Sequence, residues 1–177
     1  MVKSVWIRAA RAWAIALGVA VGVWSVPVVA QDLDKGDPDF LSFGVGAFDI
    51  DDSWTSAAFQ AEYASDRRFW IFHPIAGVMV NSDSGGNVYA GVGVDLFFGS
   101  RVVVTPSFAP SFYWRGSSKD LGQPLEFRSS ITAAYRFDDR SRLGVEFYHL
   151  SNAGMDKRNP GTEVLLLKYS LPFTRSK

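Results

Sequence analysis

The sequence predicts an all-β chain, an eight-stranded antiparallel transmembrane β-barrel of the outer-membrane type, on three observations. Apolar and polar residues alternate with period two along one segment after another. Eight such segments, each about long enough to cross a bilayer when tilted, are set off by turn-forming residues, and their connections alternate short and long. Beyond residue 30 no run has the apolar length of a membrane-spanning helix, although aromatic residues are spread along the whole chain.

Residues 1–30 read as a cleaved secretory signal and residues 31–177 as a single barrel domain. Lys3, Arg8 and Arg11 give a basic start, and Ala12 to Trp24 form an uncharged apolar run. Pro27 breaks that run just before Val28-Val29-Ala30, which offers the small residues a signal peptidase reads. Those three cations are the only charges in the first 30 residues, so the remaining 147 carry 15 basic against 18 acidic residues, a net of −3. Without a basic stripe, nucleic acid is not an expected partner. Cysteine is absent, so an exported chain of this size must be stabilised by its architecture, as a closed sheet would do.

The expected strands run over 40–48, 54–64, 69–80, 87–98, 101–113, 125–137, 141–151 and 163–173. In the fourth, Val88, Ala90, Val92, Val94, Leu96 and Phe98 share one face, with Asn87, Tyr89, Gly91, Gly93 and Asp95 between them. In the sixth, Leu125, Phe127, Ser129, Ile131, Ala133, Tyr135 and Phe137 alternate with Glu126, Arg128, Ser130, Thr132, Ala134 and Arg136. The seventh sets Leu143, Val145, Phe147, His149 and Ser151 against Arg142, Gly144, Glu146 and Tyr148. The eighth carries Glu163, Leu165, Leu167, Tyr169, Leu171 and Phe173 on one face and Lys168 and Ser170 on the other. One face is thus aliphatic with aromatic ends, as a lipid-facing girdle requires. The opposite face mixes small residues with charges of both signs, which suits a narrow lumen filled by a polar network.

The connections at 65–68, 99–100 and 138–140 are tight, while 49–53, 81–86, 114–124 and 152–162 are longer and rich in Gly, Ser, Asp and Asn. With the N-terminus on the periplasmic side, the tight turns fall in the periplasm and the longer loops outside. Closure is required, because an open edge would leave unpaired backbone groups in lipid.

Chemistry concentrates in His149-Leu150-Ser151-Asn152-Ala153-Gly154 and Asn159-Pro160-Gly161-Thr162-Glu163. His149 and Ser151 are two apart on a strand, so both side chains leave the lipid-facing side, where a polar pair is costly. If the last two strands form a hairpin with His149 opposite Glu163, their Cβ atoms lie about 4.5–5.5 Å apart. Glu163 can then hold one imidazole nitrogen while the other takes the Ser151 proton, which is the logic of a serine-hydrolase triad. Glu146 is excluded as the acid by its parity; Asp156, on the loop, is the alternative. Oxyanion donors would be the backbone N–H groups of Asn152 or Gly154, or the Asn152 amide.

Phe147 to Phe173 resembles the C-terminal region of the lipid A 3-O-deacylase (PagL) family of outer-membrane enzymes. The resemblance rests on His149-x-Ser151-Asn152, Gly154, Asn159, Glu163 and the closing Lys168-Tyr169-Ser170-Leu171-Pro172-Phe173. It implies an eight-stranded barrel with its active site on the outer wall near the external leaflet. Ser151 would be the nucleophile, His149 the general base and Glu163 its orienting acid. Asn152 and Gly154 would support the oxyanion, and Asn159 would shape the loop. The chain departs from the usual ending on an aromatic residue, since Thr174 to Lys177 follow Phe173.

The resulting expectation is a carboxylic ester hydrolase of the bacterial outer membrane. It would remove the 3-O-linked 3-hydroxyacyl chain of lipid A, with lipopolysaccharide as substrate and an acyl-enzyme intermediate. No metal or cofactor is expected, and a homodimer is compatible with the wall. His73, beside Pro74 in the middle of the third segment, reads as structural packing. The competing expectations are a non-catalytic barrel serving as an adhesin or structural element, and another outer-membrane lipid enzyme such as a phospholipase or acyltransferase.

Overall fold

The computed structural model describes residues 37–52 and 55–173. The signal reading of residues 1–30 and the closing Thr174 to Lys177 lie outside the described residues. Among the described residues nine strands form: β1 (Asp39–Phe48), β2 (Ser56–Ala64), β3 (His73–Asn81), β4 (Gly86–Gly93), β5 (Leu96–Phe98), β6 (Val102–Trp114), β7 (Leu125–Arg136), β8 (Arg142–Ser151) and β9 (Thr162–Phe173). Every pairing is antiparallel, and β1 pairs with β9 from Asp39↔Phe173 to Phe48↔Val164 to close the sheet. Strands β4 and β5 are one stave: both pair with β6 in a single continuous register, Gly86↔Trp114 at one end and Phe98↔Val102 at the other. The barrel therefore has eight staves, as the sequence predicts.

The interruption between β4 and β5 falls opposite Pro106, which accepts a hydrogen bond from the Val94 N–H at 3.0 Å but has no N–H to return. Thr105 repairs the seam by donating its hydroxyl to Asp95 at 2.6 Å.

The third stave corrects the sequence reading. It begins at His73, not at 69, because Phe69 and Phe72 pair in a small bridge with Trp70 left-handed between them at φ 60°. An aromatic run that looks like strand is thus part of the 65–72 connection, with Trp70 exposed at its tip. This connection is longer than the 82–85 loop, so the expected alternation of short and long holds only from β4 onward. His73 accordingly sits at the start of its strand. It is buried, with Nε2 3.6 Å from Asp95 Oδ1.

Parity falls as the period-two pattern requires. Outward residues such as Phe43, Val45, Phe59, Val145 and Leu167 form an exposed apolar belt. At the end of the barrel carrying the short turns, Tyr63 packs on Phe173 and Tyr135 on Phe137. In the interior, toward the turns, Arg128 pairs with Glu146, Lys168 lies 2.6 Å from Glu62 and 3.2 Å from Glu146, and Gln60 donates to Glu146 at 2.7 Å. The Arg128 guanidinium is held between the rings of Tyr89 and Tyr148, 4.4 and 4.2 Å from their centres. Toward the loops Phe48, Met79, Tyr113, Leu121, Tyr148, Leu150, Val164 and Leu166 form one apolar cluster, beside buried polar residues that include Asn87, Ser111 and Glu126. The polar lumen expected from sequence thus runs along the interior, and inward aliphatic residues near the strand ends add an apolar cluster to it, with Leu121 folding in from the β6–β7 loop.

Candidate active site

Strand β8 ends, and β9 begins, at the loop end of the barrel. Their register pairs His149 with Glu163 and Leu150 with Thr162. The parity that sends Leu143, Val145 and Phe147 outward carries His149 and Ser151 outward too, and Glu163 continues into the outward row of Leu165 and Leu167. Nδ1 of His149 lies 2.8 Å from Oε1 of Glu163, a hydrogen bond between side chains only 41% and 26% exposed. This partial burial matters, because a fully solvated pair would be worn down by water and salt.

Glu163 is anchored from behind. Its carbonyl accepts from the N–H groups of Asp49 and Ile50 at 2.9 and 3.2 Å, which docks the β1–β2 loop on β9. The buried Asp49 carboxylate in turn accepts from Thr162 Oγ1 at 3.0 Å and Lys119 Nζ at 2.6 Å. Burial alone would lower the Lys119 amine; the Asp49 hydrogen bond and the charges of Asp49, Asp51 and Asp52 reverse this and hold it above its ordinary value. Three loops thus meet around the start of β9.

The loop after Ser151 is organised by Asn152, which is fully buried. Its N–H donates to Asn159 Oδ1 at 3.0 Å, and its amide donates to the carbonyls of Arg158 at 2.7 Å and Leu121 at 3.4 Å. Its own side-chain oxygen accepts from the Gly154 N–H at 3.0 Å. Ala153 and Gly154 follow in left-handed conformation, at φ 56° and 76°. The groups considered from sequence as oxyanion donors are therefore all engaged, within the loop or with Leu121 of the β6–β7 loop. Asp156 caps the N–H of Lys157 at 2.7 Å and makes no hydrogen bond to His149. Among the described residues, no hydrogen bond joins His149 to Ser151. Catalytic contacts of this kind are often loose until substrate arrives.

A family model, lipid A 3-O-deacylase (PagL), matches residues 42–172, a stretch that contains His149, Ser151, Asn152, Asn159 and Glu163. The chain belongs to the PagL family. It is 33% identical over 86 residues to the lipid A deacylase PagL of Pseudomonas aeruginosa, covering 49% of this chain and 42% of that protein. It is 28% identical over 80 residues to the lipid A deacylase PagL of Bordetella bronchiseptica, covering 45% and 40%. The chain therefore spans less than half the length of the curated relatives it matches. A crystal structure of the outer membrane enzyme PagL superposes with a TM-score of 0.62 at 19% identity, over 76% of this chain and 99% of that one. The shared fold, the closed ladder and the apolar belt place the PagL-family chain in the outer membrane as a multi-pass barrel.

Several contributors to the site escaped the sequence reading. Ser129 lies across from His149 on β7, and Phe127 lies across from Ser151. Asp49 and Lys119 support β9 from loops 70 residues apart. Only Gly161 stood in a stretch already singled out, and its left-handed φ of 65° gives a reason for glycine there.

Proposed function

We propose that this protein is a lipid A 3-O-deacylase, an ester hydrolase that uses Ser151 as nucleophile, His149 as general base and Glu163 as the acid orienting it. The observation that carries the reading is the 2.8 Å contact of His149 with Glu163 on the lipid-facing wall, two residues from Ser151. Glu163 accepts from Nδ1–H, which fixes the tautomer and leaves the Nε2 lone pair as base. Ser151 Oγ bonds to the carbonyl carbon of the ester at the glucosamine 3-position, and its proton passes to Nε2. The C–O bond to the sugar then breaks, and Nε2–H returns the proton to the sugar oxygen. Water, deprotonated by the same nitrogen, attacks the acyl-Ser151 ester and releases the 3-hydroxy fatty acid with the serine restored.

The negative oxygen formed at each attack needs donors, worth about 2.7–4 kcal/mol for a single one in a related setting. We assign this support to the N–H groups of Asn152 and Gly154. The oxyanion replaces Asn159 Oδ1 or Asn152 Oδ1 as acceptor, since a charged acceptor makes the stronger bond. Asn159 holds the loop in shape until then. With the long loops facing outward, the triad stands at the rim of the outer leaflet. The acyl chain stays in hydrocarbon beside Phe147 and Leu165 while its ester meets Ser151.

The test is the lipid A mass profile of cells making the intact protein against those making Ser151→Ala. Loss of one 3-hydroxyacyl chain with the intact protein, and none with the variant, is the expected result. An unchanged profile in both would mark a non-catalytic barrel, and a gain of one chain would mark an acyltransferase.

A further inference from the structure

We infer that Gly161 is a positioning residue: its bare backbone is the seat on which the His149 imidazole rests. The inference deepens the triad reading above and rests on it. Gly161 stands one step beyond the Leu150↔Thr162 pair and two residues before Glu163, so the acid and the seat belong to the same short run of chain. A Cβ built on Gly161 would lie 2.8 Å from His149 Cε1 and 3.3 Å from Nε2. Real Cβ atoms do not approach ring atoms so closely, so any side chain there must push the ring aside.

The ring edge in question carries Nε2, the nitrogen that takes the serine proton. The Glu163 hydrogen bond holds the imidazole at its opposite nitrogen and leaves the ring free to swing about that contact. Backbone packing at Gly161 removes that freedom on the side of the Ser151 neighbourhood. Among the other left-handed glycines, Gly154 at φ 76° and Gly99 at φ 67° have nothing within 4 Å of an added Cβ, and at Gly116 and Gly122 the nearest atom is backbone; at Gly161 it belongs to the His149 ring. The glycine at 161 therefore has two reasons, its left-handed backbone and the ring packed on it, and the Gly161→Asn variant separates them.

The experiment compares the full-length mature barrel with Gly161→Ala, Gly161→Asn, Gly99→Ala and Ser151→Ala variants, each refolded in detergent micelles and checked by heat-modifiable migration. Release of hydroxy fatty acid from lipid A in mixed micelles gives kcat and KM, and a fluorophosphonate probe gives the rate of Ser151 modification. Displacement of a catalytic group by about 1 Å costs roughly 10²-fold. Gly161→Ala is therefore expected to lower kcat by about that factor with KM within about twofold, and to slow phosphonylation in parallel. Gly161→Asn, which tolerates positive φ, should fall as far, and Gly99→Ala should match wild type.

Wild-type kcat in Gly161→Ala, recovery in Gly161→Asn, an equal loss in Gly99→Ala, or a change confined to KM would each overturn the inference. Should Gly161→Ala fail to fold, Gly161→Asn decides alone: a wild-type kcat there overturns the inference, and a lowered kcat with unchanged KM supports it. Activity persisting in Ser151→Ala would instead overturn the triad reading itself, so the two failures are distinguishable.

Discussion

Strand β8 presents two acid–base pairs to opposite sides of one sheet, three residues apart. Facing inward, Glu146 meets Arg128, Lys168 and Gln60, and neither Glu146 nor Arg128 is more than 1% exposed. Facing outward, His149 meets Glu163 and keeps its second nitrogen without a hydrogen bond among the described residues. The inner pair is saturated on nearly every side and therefore inert. The outer pair is left incomplete at the one atom that a general base needs. Both use a carboxylate to hold a nitrogen cation or its precursor, and what separates a strut from a site is the valence left over.

Substitutions can break this contrast. The largest effect is expected from His149→Ala, which should lower kcat by about 10³-fold or more, since general-base catalysis typically contributes about 10²–10⁴. Its thermal unfolding should stay close to wild type, because surface changes usually fall within about 0.5 kcal/mol. A large loss of stability would mean that the outer pair is also a strut. Glu163→Gln comes next. It keeps the shape but offers an amide that no longer enforces the tautomer, and turnover of lipid A should drop by roughly 10²-fold or more.

The inner pair should respond in the other currency. Arg128→Met leaves Glu146 buried and short of its main partner, a change that costs about 3–5 kcal/mol in comparable cases. Chemical denaturation of the refolded barrel would show this, while activity per folded molecule remains. Adding Glu146→Leu should return much of the lost stability, and failure to do so would show that Lys168 had depended on Glu146 as well.

The smallest effect is expected from Lys119→Met, which unlatches Asp49 from the β6–β7 loop and reaches the Glu163 carboxylate only through Asp51. The Lys119 amine titrates above its ordinary value in the folded state. Its contribution is therefore whole below about pH 10.4 and disappears as pH rises through the folded value. Amide exchange at Asp49 and Ile50 should quicken in the variant at neutral pH, and the difference from wild type should vanish in strong alkali.

The staves were legible because the strand repeat is two residues, so Leu143 to Ser151 and Glu163 to Phe173 declare their outward faces without further information. The same parity predicted the His149–Glu163 juxtaposition. Residues 69–72 misled for a physical reason: Phe, Trp, Ile and Phe favour strands, yet here they close a turn through the Phe69–Phe72 bridge. The apolar cluster at the loop end of the lumen was not legible, since Leu150 and Leu166 face inward among charged neighbours and Leu121 arrives from a loop. Nor could the sequence show Asn152 as a hub. Its amide reaches the carbonyl of Leu121, 31 residues away, and such partners exist only once the barrel has closed.

The interior filling decides where substrate can go. With Arg128 wedged between two tyrosines and the loop-end cluster of Phe48, Met79, Leu121 and Leu166 stoppering the mouth, the described residues fill the cylinder against an ion path or a tunnel for a fatty chain. Reconstituted in a planar bilayer, the barrel should be electrically silent. On the proposed mechanism, a chain cut loose at Ser151 would slip sideways into the surrounding leaflet, with the membrane itself serving as both entry and exit.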